Sequence, residues 1–374
     1  MSESAISQYD SIDFSPLLDS SIDEVVTHSY VKYVPLNRSD GRLALVTLDN
    51  GKDFTRPNTL GPHGLIELRD TLRSLQTQAA RGEIQAVAVT GSPFILAAGA
   101  DLSKVQDIPN RETGVLMVKL GHQALGLLGE MGVPTFCFIN GLALGGGLEI
   151  ALNADYRSVS TGAAALALPE VFLGLLPGWG GAWLLPNLVG IRNALKVAIE
   201  NPLKMNRTLK PEEALKMGLA DAIFPAARFL EDSIEFADDI LSGNLKVKRP
   251  NKPGAVERKT VWPVAIATAR SMLKERIGEV ALSPYAALEL LSQAKSAKKS
   301  DGFAAEDKAL ASLIAGDQFH ASIYSFMLTQ KRAKKTPNAP DKKLAQPITK
   351  VGVVGAGLMA RQLAFQILRR LEVP

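Results

Sequence analysis

At 374 residues the chain exceeds one average domain and suits two or three. Apolar residues make up 46% and charged residues 21%, so a full core is available and disorder of the chain as a whole is excluded. The net charge of +4 is mild, and without an aromatic-interleaved basic stripe or zinc-finger spacing it argues against nucleic acid as a partner.

In chain order, residues 1–30 are polar and acidic, lack a signal-peptide pattern, and are expected to form an irregular, loosely attached lead. Residues 30–35 and 43–48 are rich in aliphatic and β-branched side chains around Ser39-Asp40-Gly41, which is a hairpin signal. Leu65, Leu68, Leu72 and Leu75 recur at helical spacing, with charges between them. Gly82 ends that helix, and 86–90 reads as a short buried strand. The pattern repeats with a helix around 113–131, a strand at 135–139, a glycine-rich turn and a helix from about Gly146. Such alternation predicts an α/β domain over 31–245. Within it, Pro211 marks a helix start and Gly218 its stop.

Past 245 the composition changes. The stretch KVKRPNKPG at 246–254 and the stretch KRAKKTPNAPDKK at 331–343 read as solvated basic linkers flanking helix-rich sequence at 262–330. Together they predict a helical extension over 246–345. In the last segment, 346–374, an apolar strand at 351–354 runs into Gly355-Ala356-Gly357-Leu358-Met359-Ala360 and a helical pattern. This is G-x-G-x-x-A in the strand–turn–helix setting of a dinucleotide-binding unit, with Gly355, Gly357 and Ala360 as its motif residues. The partner acidic residue belongs roughly 20 residues beyond the glycines, at or past Pro374. The chain is therefore expected to be cut where a dinucleotide-binding domain begins, and this segment is expected not to bind NAD.

Cys137 is the only cysteine, flanked by Phe136 and Phe138, and reads as a buried core thiol in a reducing compartment. No apolar run approaches the roughly 20 residues of a membrane helix, so a cytoplasmic protein with no integral membrane segment is expected. His28, His63, His122 and His320 show no metal-ligand spacing and read as structural or surface groups, so no metal site is expected.

Two segments carry candidate chemistry. One is Ala97-Ala98-Gly99-Ala100-Asp101-Leu102. The other, Asn140-Gly141-Leu142-Ala143-Leu144-Gly145-Gly146-Gly147-Leu148-Glu149, follows a strand and opens a helix, so its free N–H groups sit at a positive helix end. That suits an anion, and spacing leaves open whether it is a phosphate or a transient oxyanion. By itself Glu149 reads as a carboxylate complementing the helix end, and Glu170 as a surface acid in a loop. Asp101 reads as the cap of a following helix.

These two segments, followed by Pro169-Glu170-Val171-Phe172-Leu173-Gly174-Leu175-Leu176-Pro177-Gly178-Trp179-Gly180-Gly181, resemble the crotonase (enoyl-CoA hydratase) superfamily in order and spacing. With the helical region and the G-x-G-x-x-A segment, the whole chain resembles the N-terminal part of a multifunctional fatty-acid-oxidation enzyme of the α-subunit type. In such enzymes a hydratase precedes a 3-hydroxyacyl-CoA dehydrogenase. The resemblance implies an α/β spiral of ββα turns and a thioester carbonyl held by the backbone N–H groups of Ala100 and Gly146. It also implies Glu149 and Glu170 as the acid/base pair, and CoA contacts at Ala97, Ala98 and Gly99. Arg56 is weighed evenly between a CoA contact and an ordinary surface arginine. The function implied is hydration of trans-2-enoyl-CoA in β-oxidation, with acyl-CoA as substrate and no cofactor for that step. NAD is implied only for a complete dehydrogenase domain. Partners implied are further copies of the chain and a thiolase subunit. An isomerase or thioester hydrolase on the same fold, or a non-catalytic acyl-CoA-binding module, are the alternatives. Trp179 and Trp183 depart from the family pattern, either lining the acyl pocket or packing against a neighbouring subunit.

Overall fold

Valine and leucine on both sides of a tight turn, with Tyr30 and Tyr33 on the first, make the first two strands, β1 (His28–Leu36) and β2 (Gly41–Asp49), an antiparallel hairpin. The turn is fixed from outside. The Asp238 carboxylate accepts the backbone N–H groups of Asn37, Arg38 and Ser39 at 2.8–2.9 Å and the Ser39 hydroxyl at 2.7 Å. These bonds hold the Asp238 carboxyl below its ordinary range although burial opposes them.

The computed structural model describes residues 4–19, 21, 23–52, 56–101, 111–334, 342–344 and 346–371. They divide into two compact units, Met1–Phe326 and Met327–Pro374.

In the first unit three turns of chain repeat one plan. β3 (Ala86–Gly91) passes to the short β4 (Ile95–Ala97), and β5 (Thr135–Ile139) to β6 (Leu142–Leu144). In the third turn β7 (Tyr156–Ser160) passes to β8 (Leu166–Ala167). Long strands join a six-stranded sheet in the order β1-β2-β3-β5-β7-β9, with β9 at Ala222–Phe224, and short ones form a parallel sheet β4-β6-β8. The strand pairings beyond the hairpin are parallel, and one isolated antiparallel bridge joins Leu166 to Leu209. The middle of the large sheet lies inside the fold, so β3 and β5 are buried at every residue, while the edge strand β1 is largely exposed. Phe136 and Phe138 pack with Leu43, Leu45, Phe229 and Ala237 in the core. Cys137 is fully buried, and burial pushes its thiol up to about 12.

After α1 (Ser15–Asp19), helix α2 (Pro62–Ala80) buries the predicted Leu65, Leu68, Leu72 and Leu75. Helices α3 (Arg111–Gly126) and α4 (Gly146–Asn153) close the next turns, followed by α5 (Gly181–Val189) and α6 (Ile191–Leu195). Then come α7 (Asn201–Leu203), α8 (Pro211–Met217) and α9 (Phe229–Leu241). The helix-rich sequence forms α10 (Trp262–Ile277), α11 (Leu282–Gln293), α12 (Lys299–Ile314) and α13 (Asp317–Lys334). Asp101 is described, but the helix it was expected to cap lies outside the described residues.

Three expectations need correction. The lead is not loose: Ile6, Tyr9, Phe14 and Leu17 are buried, and Tyr9 donates its hydroxyl to Asp307 at 2.8 Å. Four apolar side chains in a polar stretch suffice to dock it. The basic stretch at 246–254 is not wholly solvated either, because Arg249 pairs with buried Asp221 at 2.9 Å and stacks over Tyr156. In the second unit, helix α14 (Leu358–Leu371) forms as expected, but 351–354 form no strand. A parallel strand exists through its ladder, and among the described residues none pairs with this segment.

Candidate functional site

Asn58 sets the first segment in place. Its side-chain amide donates to Leu48 O at 2.9 Å and Leu96 O at 3.2 Å, and its carbonyl accepts Ala98 N–H at 2.8 Å. Leu60 N–H donates to Gly99 O at 2.8 Å. Two polar groups of the 97–99 stretch are thus committed within the protein. Ala97 and Gly99 are buried, while Ala98 and Ala100 are half-buried. Arg56 is exposed two residues before Asn58, and its backbone carbonyl accepts from Asn50 at 3.3 Å.

The second segment meets the first. Gly99, at φ +78°, lies so close to the start of α4 that a Cβ on it would sit 3.1 Å from Gly146 N. Gly146 is the first residue of α4, so its N–H has no intrahelical partner. Among the described residues the Ala100 N–H also donates to nothing. Two unsatisfied amides therefore stand in adjoining segments, one of them at the positive end of a helix.

Glu149 lies in the first turn of α4, 2% exposed. Its Oε1 accepts the backbone N–H groups of Trp179 at 2.7 Å and Gly181 at 2.9 Å. Its Oε2 takes no hydrogen bond from the described residues. Burial, then the Glu306 carboxylate, push Glu149 up to about 7, against the pull of the two amides and His122.

Glu170 follows Pro169 as the first residue of a short helical turn, Glu170–Leu173. A Cβ at Gly145 would lie 2.9 Å from its Oε1, which sets this carboxyl against the glycine turn that opens α4. Its Oε2 is enclosed, with no hydrogen-bond partner among the described residues. Burial, and then the charge of Glu149, raise Glu170 well above the carboxylate range. Each carboxyl therefore holds its proton more tightly than an exposed glutamate does, and the two charges oppose one another.

Trp179 and Trp183 pack within the chain itself. A Cβ on Gly146 would meet the Trp179 ring at 2.4 Å, so the indole walls the site beside that amide. Trp183 lies against Gly302 of α12 and donates its indole N–H to Ala297 O at 3.0 Å.

Sequence reasoning missed one cluster. His122, on α3, is fully buried, with Nδ1 2.7 Å from Asp307 and Nε2 3.1 Å from Glu306, both on α12. Glu306 also accepts the N–H groups of Gly180 and Trp183, each at 2.7 Å. Burial alone would lower His122, but its bonds to Asp307 and Glu306 outweigh that and raise it to about 9. The one available signal was a lone histidine on an apolar helix face, because a buried polar group demands partners. Among the described residues no cluster of three or more His, Cys, Asp or Glu is arranged to hold a metal ion. Nor is any described helix long and apolar enough to cross a membrane. The stretch 346–357 forms the glycine turn, with Gly355 at φ +112°, but no strand. The strand that precedes the glycine turn in a dinucleotide-binding unit is therefore not assembled among the described residues.

Comparison with known proteins agrees with this architecture. Two solved structures share the fold. The human mitochondrial delta3-delta2-enoyl-CoA isomerase has TM-score 0.54 and 20% identity, covering 81% of this chain and 99% of that one. The enoyl-CoA hydratase from Bacillus halodurans has TM-score 0.53 and 19% identity, covering 79% and 100%. Among curated proteins, the fatty acid oxidation complex subunit alpha of Pseudomonas putida (strain GB-1) is 30% identical over 312 residues, covering 81% of this chain and 41% of that protein. Its counterpart from Shewanella amazonensis is 29% identical over 349 residues, covering 92% and 47%. This chain thus spans less than half the length of those two relatives. Residues 40–275 match the family described as enoyl-CoA hydratase/isomerase, and the chain belongs to that family.

Proposed function

We propose that this chain adds water to trans-2-enoyl-CoA thioesters, giving 3-hydroxyacyl-CoA. One observation carries the reading: two carboxyl groups, buried Glu149 and Glu170 with its enclosed Oε2, are both raised by burial and stand beside two backbone amides that take no partner among the described residues. The thioester oxygen accepts from the N–H groups of Ala100 and Gly146, which stabilise the negative charge that develops there. Ionised Glu149, anchored through Oε1, takes a proton from water with Oε2 while the oxygen bonds to the β carbon. The π bond breaks, and protonated Glu170 delivers its proton to the α carbon. Glu149 ends protonated and Glu170 ionised, and proton transfer through solvent resets them. Hydration requires no dissociable cofactor in this scheme. CoA lies along the backbone of Ala97, Ala98 and Gly99, with Arg56 as a candidate phosphate contact.

The relatives named as subunits of a fatty acid oxidation complex support a place in β-oxidation. Cytoplasmic location, self-association and a thiolase partner belong to the same proposal. Incubation with crotonyl-CoA tests it: loss of enoyl absorbance with formation of 3-hydroxybutyryl-CoA is the expected result. Release of free CoA would identify a hydrolase, and turnover of 3-enoyl-CoA alone an isomerase. Tight binding of crotonyl-CoA without turnover would leave only a binding module.

A further inference from the structure

The turn between Gly178 and Trp183 is gripped from two sides by alternate amides. Trp179 and Gly181 donate to Glu149 of α4, while Gly180 and Trp183 donate to Glu306 of α12. The aim of the Glu149 carboxylate is fixed by amides whose own position is fixed by Glu306. Asn153 adds a brace, its side-chain amide donating to Glu149 O at 2.9 Å and Trp179 O at 3.1 Å. Glu306 receives three N–H donors on two oxygens, counting His122, an arrangement that a carboxylate satisfies better than a carboxylic acid. His122 in turn is held by Asp307, whose other oxygen accepts the Tyr9 hydroxyl from the N-terminal lead.

We propose that Glu306, with His122 and Asp307, is a positioning cluster for Glu149. From the helical region it holds the turn that aims this carboxylate, and it sets the local charge that Glu149 meets. Glu149 faces Glu306 from α12, His122 from α3, and Glu170. His122 faces Glu306 and Asp307 from α12 and Tyr9 from the lead. The carboxylate of Glu306 disfavours ionisation of Glu149, and the imidazolium of His122 favours it. The two substitutions that follow should therefore act in opposite directions.

Glu306→Gln removes the larger of those two influences and leaves one oxygen for two amides. It should move Glu149's ionisation midpoint to lower pH by on the order of one unit. It should also lower kcat more than it raises KM. Asp307→Asn weakens the hold on the His122 proton, so the midpoint should move upward. The midpoint is read from the protonated-carboxyl infrared band that Glu149→Gln abolishes, in the full chain without substrate. The acid limb of kcat/KM for crotonyl-CoA should follow each shift. The kinetic part rests on the hydratase reading and the infrared part does not. If wild type fails to turn over crotonyl-CoA, that reading falls while the midpoints still decide this inference. Opposite shifts support it. Unchanged midpoints in both variants, or shifts of the same sign, overturn it. Should Glu306→Gln not fold, the sign of the Asp307→Asn shift decides alone.

Discussion

Glu149 and Glu170 differ in how each is held. Glu149 has two amides on one oxygen, which favour its anion, while Glu170 has an enclosed, unpartnered oxygen that favours its acid. In the hydratase reading the base must be ionised and the acid protonated. The rate should therefore rise with pH through about 7 as Glu149 loses its proton, and fall where Glu170, also raised by burial, loses its own. A kcat/KM profile that is flat from pH 5 to about 8, a range chosen to bracket that midpoint, would remove the assignment. Glu149→Gln or Glu170→Gln should each cost about 10²–10⁴ in turnover, with crotonyl-CoA binding near normal by calorimetry. Gly146→Ala probes the amide, since its Cβ would lie 2.4 Å from the Trp179 ring and displace the backbone donor. Losing one such donor costs about 10²–10³ in kcat. A Gly146→Ala protein with normal kcat would mean that this amide does not hold the reacting oxygen.

At the level of elements, what matters is how α4 is held at both ends. Its start faces the 97–100 segment, and its end is met by Arg157, which is 2% exposed. The Arg157 guanidinium donates to Ala151 O at 3.3 Å, Ala154 O at 2.6 Å and Leu219 O at 2.9 Å, and it pairs with Asp221 at 3.3 Å. A cation on the last carbonyls of a helix opposes its dipole and satisfies groups that would otherwise be buried unpaired. Arg157→Met keeps the volume and removes the donors. Urea unfolding should show a loss of about 3 kcal/mol or more, as when one partner of a buried pair is deleted. A loss under about 1 kcal/mol would mean water replaces the guanidinium. Elements with a local signature were legible in the sequence: the leucines of α2, the glycine-led start of α4, and the Pro211 and Gly218 ends of α8. What required distant pairing was not. Glu306 and His122 lie 184 residues apart in the chain, and no spacing rule links them. The segment 351–354 shows the converse, having strand-like residues without the ladder that would make a strand.

Across the first unit, the lead and the helical region meet at one buried point. Tyr9 and His122 stack with ring centroids 5.9 Å apart, and both reach Asp307. This point ties folding stability to pH. The folded chain raises His122 from an ordinary value of 6.5 to about 9, so folding is favoured wherever the imidazole takes up a proton. That stabilisation is complete below about 6.5 and is lost as pH rises through about 9. Glu149, also raised, loses its share lower down, as pH climbs from 4.5 through about 7. Asp238 behaves oppositely: its stabilisation holds at neutral pH and fades only as pH falls below the ordinary value of 3.8. Between pH 6 and 9 the His122 contribution should change by about 2–3 kcal/mol. Urea titrations at these two pH values should therefore show wild type weaker at the higher one, and His122→Gln with a clearly shallower decline, the part that remains coming from raised carboxyls such as Glu149. Because the readout is a slope, it survives any constant loss of stability in the variant. Equal slopes in the two proteins would mean that the histidine is neutral in the folded state, and that Glu306 and Asp307 hold it without its charge.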